Sequence, residues 1–200
     1  MSPRVDVSEE RKAQILEAAR KSFSKRGFHK TRMSDIAEES GLSKGALYLY
    51  FESKDAIILS LLQKVFEPEL RDLNTLLADD RSAEEKLLIY AERGAEDIQN
   101  MLVWMPLLYE FLVLAFRRGN IKKFISTFYE RNMKLLETLI QQGMDSGEFQ
   151  ANSAQDGAIA MGSIIEGTLM LWMYDPDKID IKSHIMSNTQ ILLKGLRSTG

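Results

Sequence analysis

Lys44, Gly45 and Ala46, followed by Tyr48 and Tyr50, are the residues of this chain whose types and order could do chemistry. That chemistry is recognition without bond making: small residues let a helix approach base edges, and a lysine with two phenols can hold phosphates on either side. Catalysis is poorly supplied. The only histidines, His29 and His184, lie far apart, there is no cysteine, and neither a glycine-rich phosphate loop nor an HExxH spacing occurs. An acid/base pair such as Glu110 with Glu166 is a poor substitute for these, and neither an enzyme nor a bound cofactor is expected.

The elements that position this group read as two short helices joined by a tight turn. Gly41 supplies the positive φ that ends the first helix, and Ser43 can cap the second by accepting a backbone N–H. Leu47 and Phe51, four apart, then face inward together with Ile36, Ala37 and Phe23. Lys44, Gly45, Ala46 and Tyr48 are left facing outward. Tyr50 has two readings, a phosphate contact or packing of the second helix against the one that precedes the pair.

The ordered set Gly27-Phe28-His29-Lys30-Thr31, Asp35-Ile36-Ala37, Gly41 through Phe51, and Ser53-Lys54-Asp55 resembles the DNA-binding domain of the TetR family of bacterial transcriptional regulators, over roughly residues 8–66. The resemblance implies an all-α homodimer with an N-terminal three-helix helix-turn-helix domain and a C-terminal helical domain for ligand binding and dimerisation. Carried over residue by residue, it puts Ser43 at the cap of the recognition helix. Thr31, Tyr48, Tyr50 and Lys54 become phosphate contacts, and Lys44, Gly45 and Ala46 face base edges. Two positions depart from the family pattern. Arg32 stands where Thr or Ser is usual, so a cap must come from Thr31 or be lost while a guanidinium gains reach to a phosphate. Leu49 stands where a polar residue is usual, and meets either a thymine methyl or no DNA at all.

Charge is divided in the same sense. The net charge is −3, yet residues 1–54 carry eleven Lys and Arg against eight acids, which is +3 and leaves −6 for the remainder. A basic end and an acidic body confine contact with DNA to the end carrying the helix pair.

Periodicity is helical throughout and predicts about nine helices. Helix 1 covers Ser8 to Arg26, helix 4 starts near Lys54, and helix 5 covers Ser82 to Asn100. Helix 6 opens at Pro106 and ends at Arg117-Arg118, and helix 7 is capped by Asn120 and runs to Ser146. Helix 8 reaches Tyr174, and helix 9 covers Asp180 to Leu196. Pro68 should kink or break helix 4. The domain division is placed at residues 1–53 and 54–200, joined through helix 4 instead of a flexible tether. No internal repeat or low-complexity tract occurs.

In the body, Met101, Trp104, Met105, Leu108, Tyr109, Phe111, Leu112 and Phe116 form a Met-rich, aromatic set with Phe124, Phe128 and Met133. Met161, Ile165, Met170, Trp172 and Met173 extend it. Such linings adapt to irregular ligands, although any one member alone reads better as core or dimer interface. Helices 8 and 9 are apolar on more than one stripe, which suits a two-fold dimer interface. Glu110 and Glu166 interrupt apolar stretches and must find a partner, a proton or solvent; in a pocket, either would favour a cationic lipophilic ligand.

The longest apolar run, residues 101–116, is interrupted by Pro106 and Glu110 and is too short for a bilayer. With no apolar leader at the N-terminus, a soluble cytoplasmic protein without a membrane partner is expected. These features together point to a regulator, more a repressor than an activator, that binds double-stranded palindromic operator DNA as a homodimer and is released by a small apolar or amphipathic effector. The competing reading is an apolar-ligand carrier with a vestigial helix-turn-helix, which the intact Lys44, Tyr48, Tyr50 and Lys54 oppose.

Overall fold

The computed structural model describes residues 7–197, apart from the side chains of residues 67–74, 103 and 106. Among the described residues there are nine α-helices: α1 (Val7–Arg26), α2 (Met33–Glu39), α3 (Lys44–Tyr50), α4 (Lys54–Leu77), α5 (Ala83–Met101), α6 (Met105–Ala115), α7 (Gly119–Asp145), α8 (Ala154–Tyr174) and α9 (Ile181–Leu196). A 3-10 turn, Leu102–Trp104, leads into α6. One antiparallel bridge, between Phe149 and Arg197, is the extent of β-pairing among these residues.

The helix starts follow from local chemistry. Ser82 accepts from the Glu85 N–H while the Glu85 carboxylate accepts from that of Ser82, a reciprocal cap for α5. Ser153 and Asp180 cap α8 and α9 in the simpler one-way form. Two expectations are corrected here. α7 begins at Gly119, so Asn120 lies inside the helix, where its side-chain oxygen accepts from the Ile121 N–H at 2.9 Å. α4 continues past residue 68 as one helix, so the proline does not end it, and the Pro68 side chain lies outside the described residues.

Contacts gather the chain into two compact units that are not consecutive in sequence: residues 1–66 with 103–126, and 67–102 with 127–200. The first has its core where α1 to α4 meet α6. Ile15, Phe23, Phe28, Ile36, Leu47, Ile57, Ile58 and Phe111 are essentially shut off from solvent there. The Phe23 ring lies 5.5 Å from Phe28 and meets Phe111 edge-on at 6.3 Å, so an α6 side chain fills the interior of the unit that holds the helix pair. The second unit is built on α5, α8, α9 and the part of α7 from residue 127 on, with Leu87, Ala91, Leu136, Leu139, Ile140, Met161, Ile185 and Leu193 in its core. There Gly143 has no room for a side chain: a Cβ would come within 2.1 Å of the Phe149 ring.

α8 corrects the reading of apolar runs. Its 21 residues are long and apolar enough to cross a bilayer by length and composition, and only Asp156 and Glu166 carry charge. Its alternating alanines, glycines and methionines dilute the run, which hid it behind the denser stretch at 101–116. Ile159, Met170, Leu171, Met173 and Tyr174 of α8 are exposed, as is Ile191 of α9.

Candidate nucleic-acid interface

The helix pair is assembled by its turns. Gly41, at φ +68°, ends α2, with its N–H on the Glu38 carbonyl and the Leu42 N–H on that of Ala37. This two-bond closure, a Schellman cap, satisfies carbonyls at the helix end and turns the chain sharply. The Gln14 amide of α1 donates to the Ser40 carbonyl at 2.6 Å and docks that turn on the first helix. Two residues further, the Ser43 hydroxyl accepts from the Ala46 N–H at 3.1 Å and starts α3.

α3 is thereby sorted into two faces. Leu47 is fully buried, whereas Lys44, Gly45, Tyr48 and Leu49 form a continuous exposed ridge at positions i, i+1, i+4 and i+5. Leu49 is 84% exposed, extreme for a leucine on a helix that packs its opposite side into a core. Gly45 is also informative. A Cβ there would meet nothing nearer than the Ser43 hydroxyl at 4.0 Å, so internal packing does not require a glycine that costs about 1 kcal/mol in a helix. Ala46 and Tyr50 are half-buried. The ridge offers an ammonium, a phenol, an apolar tip and an unobstructed stretch of backbone, the components of a groove-reading surface.

Thr31 is corrected. It is fully buried, and the single proton of its hydroxyl faces the Gly27 carbonyl at 2.8 Å and the Ser22 carbonyl at 3.2 Å inside the corner between α1 and α2. It neither caps α2 nor faces outward. The residue before α2 is Arg32, whose N–H donates to the Asp35 carboxylate at 2.8 Å, so the reciprocal half of a capping box carries this helix start. The Arg32 side chain is exposed.

Lys54 turns inward. Its ammonium donates to the carbonyls of Phe28 at 2.6 Å and Thr31 at 2.7 Å, and sits 4.0 Å above the Phe28 ring. Burial, with the nearby Arg118 guanidinium, holds its pKa below the ordinary lysine range. Two of its three N–H groups serve this corner, which leaves one for an outside acceptor.

Sequence reasoning missed the contribution of α6 and the corner after it. Glu110, singled out as an acid awaiting a partner, accepts from the Phe28 N–H at 2.7 Å. Arg118 donates to both oxygens of Asp55, each at 2.7 Å, and lies 5.5 Å from the Phe28 ring. The signal was the uncompensated acid itself. Its partner is a backbone N–H 82 residues away, which no spacing rule reveals.

The Met/aromatic set is distributed between the two units. Trp104, Met105, Leu108, Tyr109, Phe111, Leu112, Phe116 and Phe124 belong to the unit that carries the helix pair, and Met101, Phe128, Met133 and the α8 residues to the other. Phe111 is core, Met105 and Leu108 are buried, and Leu112 and Phe116 are exposed. Trp104 is half-buried beneath the Arg20 guanidinium at 5.4 Å. In the second unit Met161 is core, in contact with the Thr189 hydroxyl, and Met101, Met133, Ile165 and Trp172 pack at its margin. Glu166 stands among the exposed apolar residues of α8, and desolvation raises its carboxyl above the usual range.

Comparison with known proteins agrees with this geometry. Residues 15–61 match the family described as bacterial regulatory proteins, tetR family, and residues 86–182 match the tetracyclin repressor-like C-terminal domain. The chain is 31% identical to YfiR, an uncharacterized HTH-type transcriptional regulator of Bacillus subtilis, over 97% of this chain and 96% of that one. Two solved structures share the fold. SmeT, the repressor of the Stenotrophomonas maltophilia multidrug efflux pump SmeDEF, superposes with a TM-score of 0.76 at 18% identity, covering 94% of this chain and 91% of SmeT. The Bacillus subtilis regulator FadR, solved in complex with stearoyl-CoA, gives 0.73 at 21% identity, covering 92% of this chain and 99% of FadR.

Proposed function

The chain belongs to the TetR family of bacterial transcriptional regulators, and from that premise we propose that it is a cytoplasmic repressor without catalytic activity, which binds a palindromic operator as a homodimer. A small apolar or amphipathic molecule releases it. The observation that carries the reading is the exposed ridge of α3, whose Gly45 and Leu49 have no role in the protein's own core. Lys44, Gly45, Ala46 and Leu49 meet base edges in the major groove. Ser43, Tyr48, Tyr50, Arg32 and the remaining N–H of Lys54 meet phosphates on either side.

In this reading residues 1–53 carry DNA recognition, and residues 54–200 carry effector binding and dimerisation. The exposed apolar residues of α8 and α9 form the interface with a second copy, which covers the face that would otherwise rank as bilayer-compatible. The effector meets the part of the Met/aromatic set that includes Trp104, Met105, Leu108 and Tyr109. Acyl-CoA is the first class to try, because FadR was solved with stearoyl-CoA.

Selection of bound duplexes from a random pool, followed by affinity measurement on the enriched sequence, tests the reading. Two-fold-related half-sites about 34–36 Å apart, or a multiple of that, are expected. Lys44→Ala should lose about 1–3 kcal/mol and relax preference at one base position. No enrichment of any duplex would end the proposal and favour a ligand carrier. Ile191→Glu should yield folded monomers in sedimentation with little operator affinity; a tight dimer would place the interface elsewhere.

A further inference from the structure

The corner between α1 and α2 closes in an unusual way. Gly27, at φ +74°, donates its N–H to the Phe23 carbonyl at 2.7 Å, the single-bond αL form of a helix end. In that form the next N–H, that of Phe28, has no acceptor within the turn. The structure gives it the Glu110 carboxylate of α6 at 2.7 Å. The carbonyl of Phe28 accepts from Lys54 at 2.6 Å, and the Lys54 ammonium and the Arg118 guanidinium both stand near its ring, at 4.0 and 5.5 Å. Residues from α6, α4 and the turn after α6 thus converge on the residue that leads into the helix pair.

A second closure is open to the same backbone. The Gly41 corner adopts it, with bonds from Leu42 to Ala37 and from Gly41 to Glu38. Transposed to the first corner, the Phe28 N–H would take the Phe23 carbonyl and the Gly27 N–H that of Ser24. A helix end with two self-consistent closures, only one of which needs α6, is a two-state element.

We propose that Glu110 is a positioning residue for operator binding: its carboxylate holds the α1–α2 corner in the αL closure that sets the helix pair for DNA, and loss of that bond lets the corner re-close on Phe23. This rests on the reading of the chain as an operator-binding regulator and adds the point at which α6 acts on the reading head. Glu110 touches no DNA in this scheme. It acts through Phe28.

The test uses the full chain and the duplex enriched by the wild type. Labelling glycine carbonyls with 13C and phenylalanine amides with 15N picks out the Gly27–Phe28 peptide, the one Gly-Phe pair in the sequence. Glu110→Ala should shift that amide resonance and weaken operator binding by about tenfold, as expected if the competent closure falls to about a tenth of the population. The salt dependence should stay unchanged, because no phosphate contact is lost. Glu110→Gln retains an acceptor oxygen and should restore affinity to within about threefold. If Glu110→Ala does not fold, Glu110→Met fills the space without an acceptor and takes its place.

A variant that melts lower yet binds the operator within about twofold of wild type would reduce Glu110 to a structural role and overturn the proposal. A reduced salt slope, or a Glu110→Gln variant as weak as Glu110→Ala, would overturn it too. Failure of the wild type to enrich any duplex would instead refute the operator-binding reading. The amide shift still reports the corner in that case, and an unmoved resonance in Glu110→Ala would show that the bond does not set its closure.

Discussion

Gly27 and Gly41 hold nearly the same left-handed φ at the ends of two successive helices, yet the corners they make are fastened in different ways. The closing bonds of the Gly41 corner run among its own neighbours, residues 37–42, and the Gln14 amide only docks the closed turn on α1. The Gly27 corner is completed by a carboxylate from α6 and an ammonium from α4. A self-closed corner is a fixed joint. One completed from elsewhere transmits the position of whatever completes it.

The largest effect that sharpens this contrast is expected from Lys54→Met. It leaves the Phe28 and Thr31 carbonyls without their ammonium, and charged hydrogen bonds of this kind put the loss at about 2–3 kcal/mol in denaturant unfolding. A loss well below 1 kcal/mol would show that the first corner closes without the ammonium. Gly27→Ala and Gly41→Ala come next. Each forces a Cβ into the left-handed region at about 1–2 kcal/mol, and neither meets a steric clash, since the nearest atom to the first is Glu110 Oε1 at 3.5 Å and none lies within 4 Å of the second. Gly41→Ala keeps the labelled Gly27–Phe28 peptide and should leave its amide signal, assigned to the Glu110 bond, where it is in the wild type. A shift of that signal in Gly41→Ala would erase the distinction between the corners.

Tyr48→Ala lies outside both corners. It should leave unfolding within about 0.5 kcal/mol of wild type while lowering the salt slope of operator binding by about one phosphate's worth. An unchanged slope would remove Tyr48 from the interface.

The smallest effect is expected far from the head, at Glu166. Desolvation raises its folded-state pKa, so between the unfolded and folded values the folded chain binds more protons, and this group's contribution to stability falls as pH rises. Glu166→Gln should therefore melt slightly higher than wild type at pH 7. The difference should fade below the unfolded carboxyl pKa of about 4.3; a gap that persists or grows in acid would contradict the assignment.

The legible part of this molecule was its local part. Nine helices, the Gly41 turn, the Ser43 cap and the inward Leu47 each follow from residues within a turn or two of one another. Thr31 was misread because threonine before a helix ordinarily caps it, whereas here its hydroxyl completes the corner behind and Asp35 supplies the start. Glu110 was seen as an anomaly but not explained, since its partner is a main-chain N–H with no sequence signature. Phe111 was grouped with ligand-lining residues because aromatic periodicity in an apolar helix does not say which unit the helix fills.

The membership of α6 in the first compact unit bears on how such proteins can be recombined. Exchanging the sensor of one regulator for another by joining residues 1–66 to a foreign body would leave behind Phe111, Glu110 and Arg118. The transplanted head would carry a hole beside Phe23, a bare N–H at Phe28 and an unmatched Asp55. A workable exchange has to move residues 103–126 with the head, so the natural seam for swapping specificities runs through two cuts in the chain and not one.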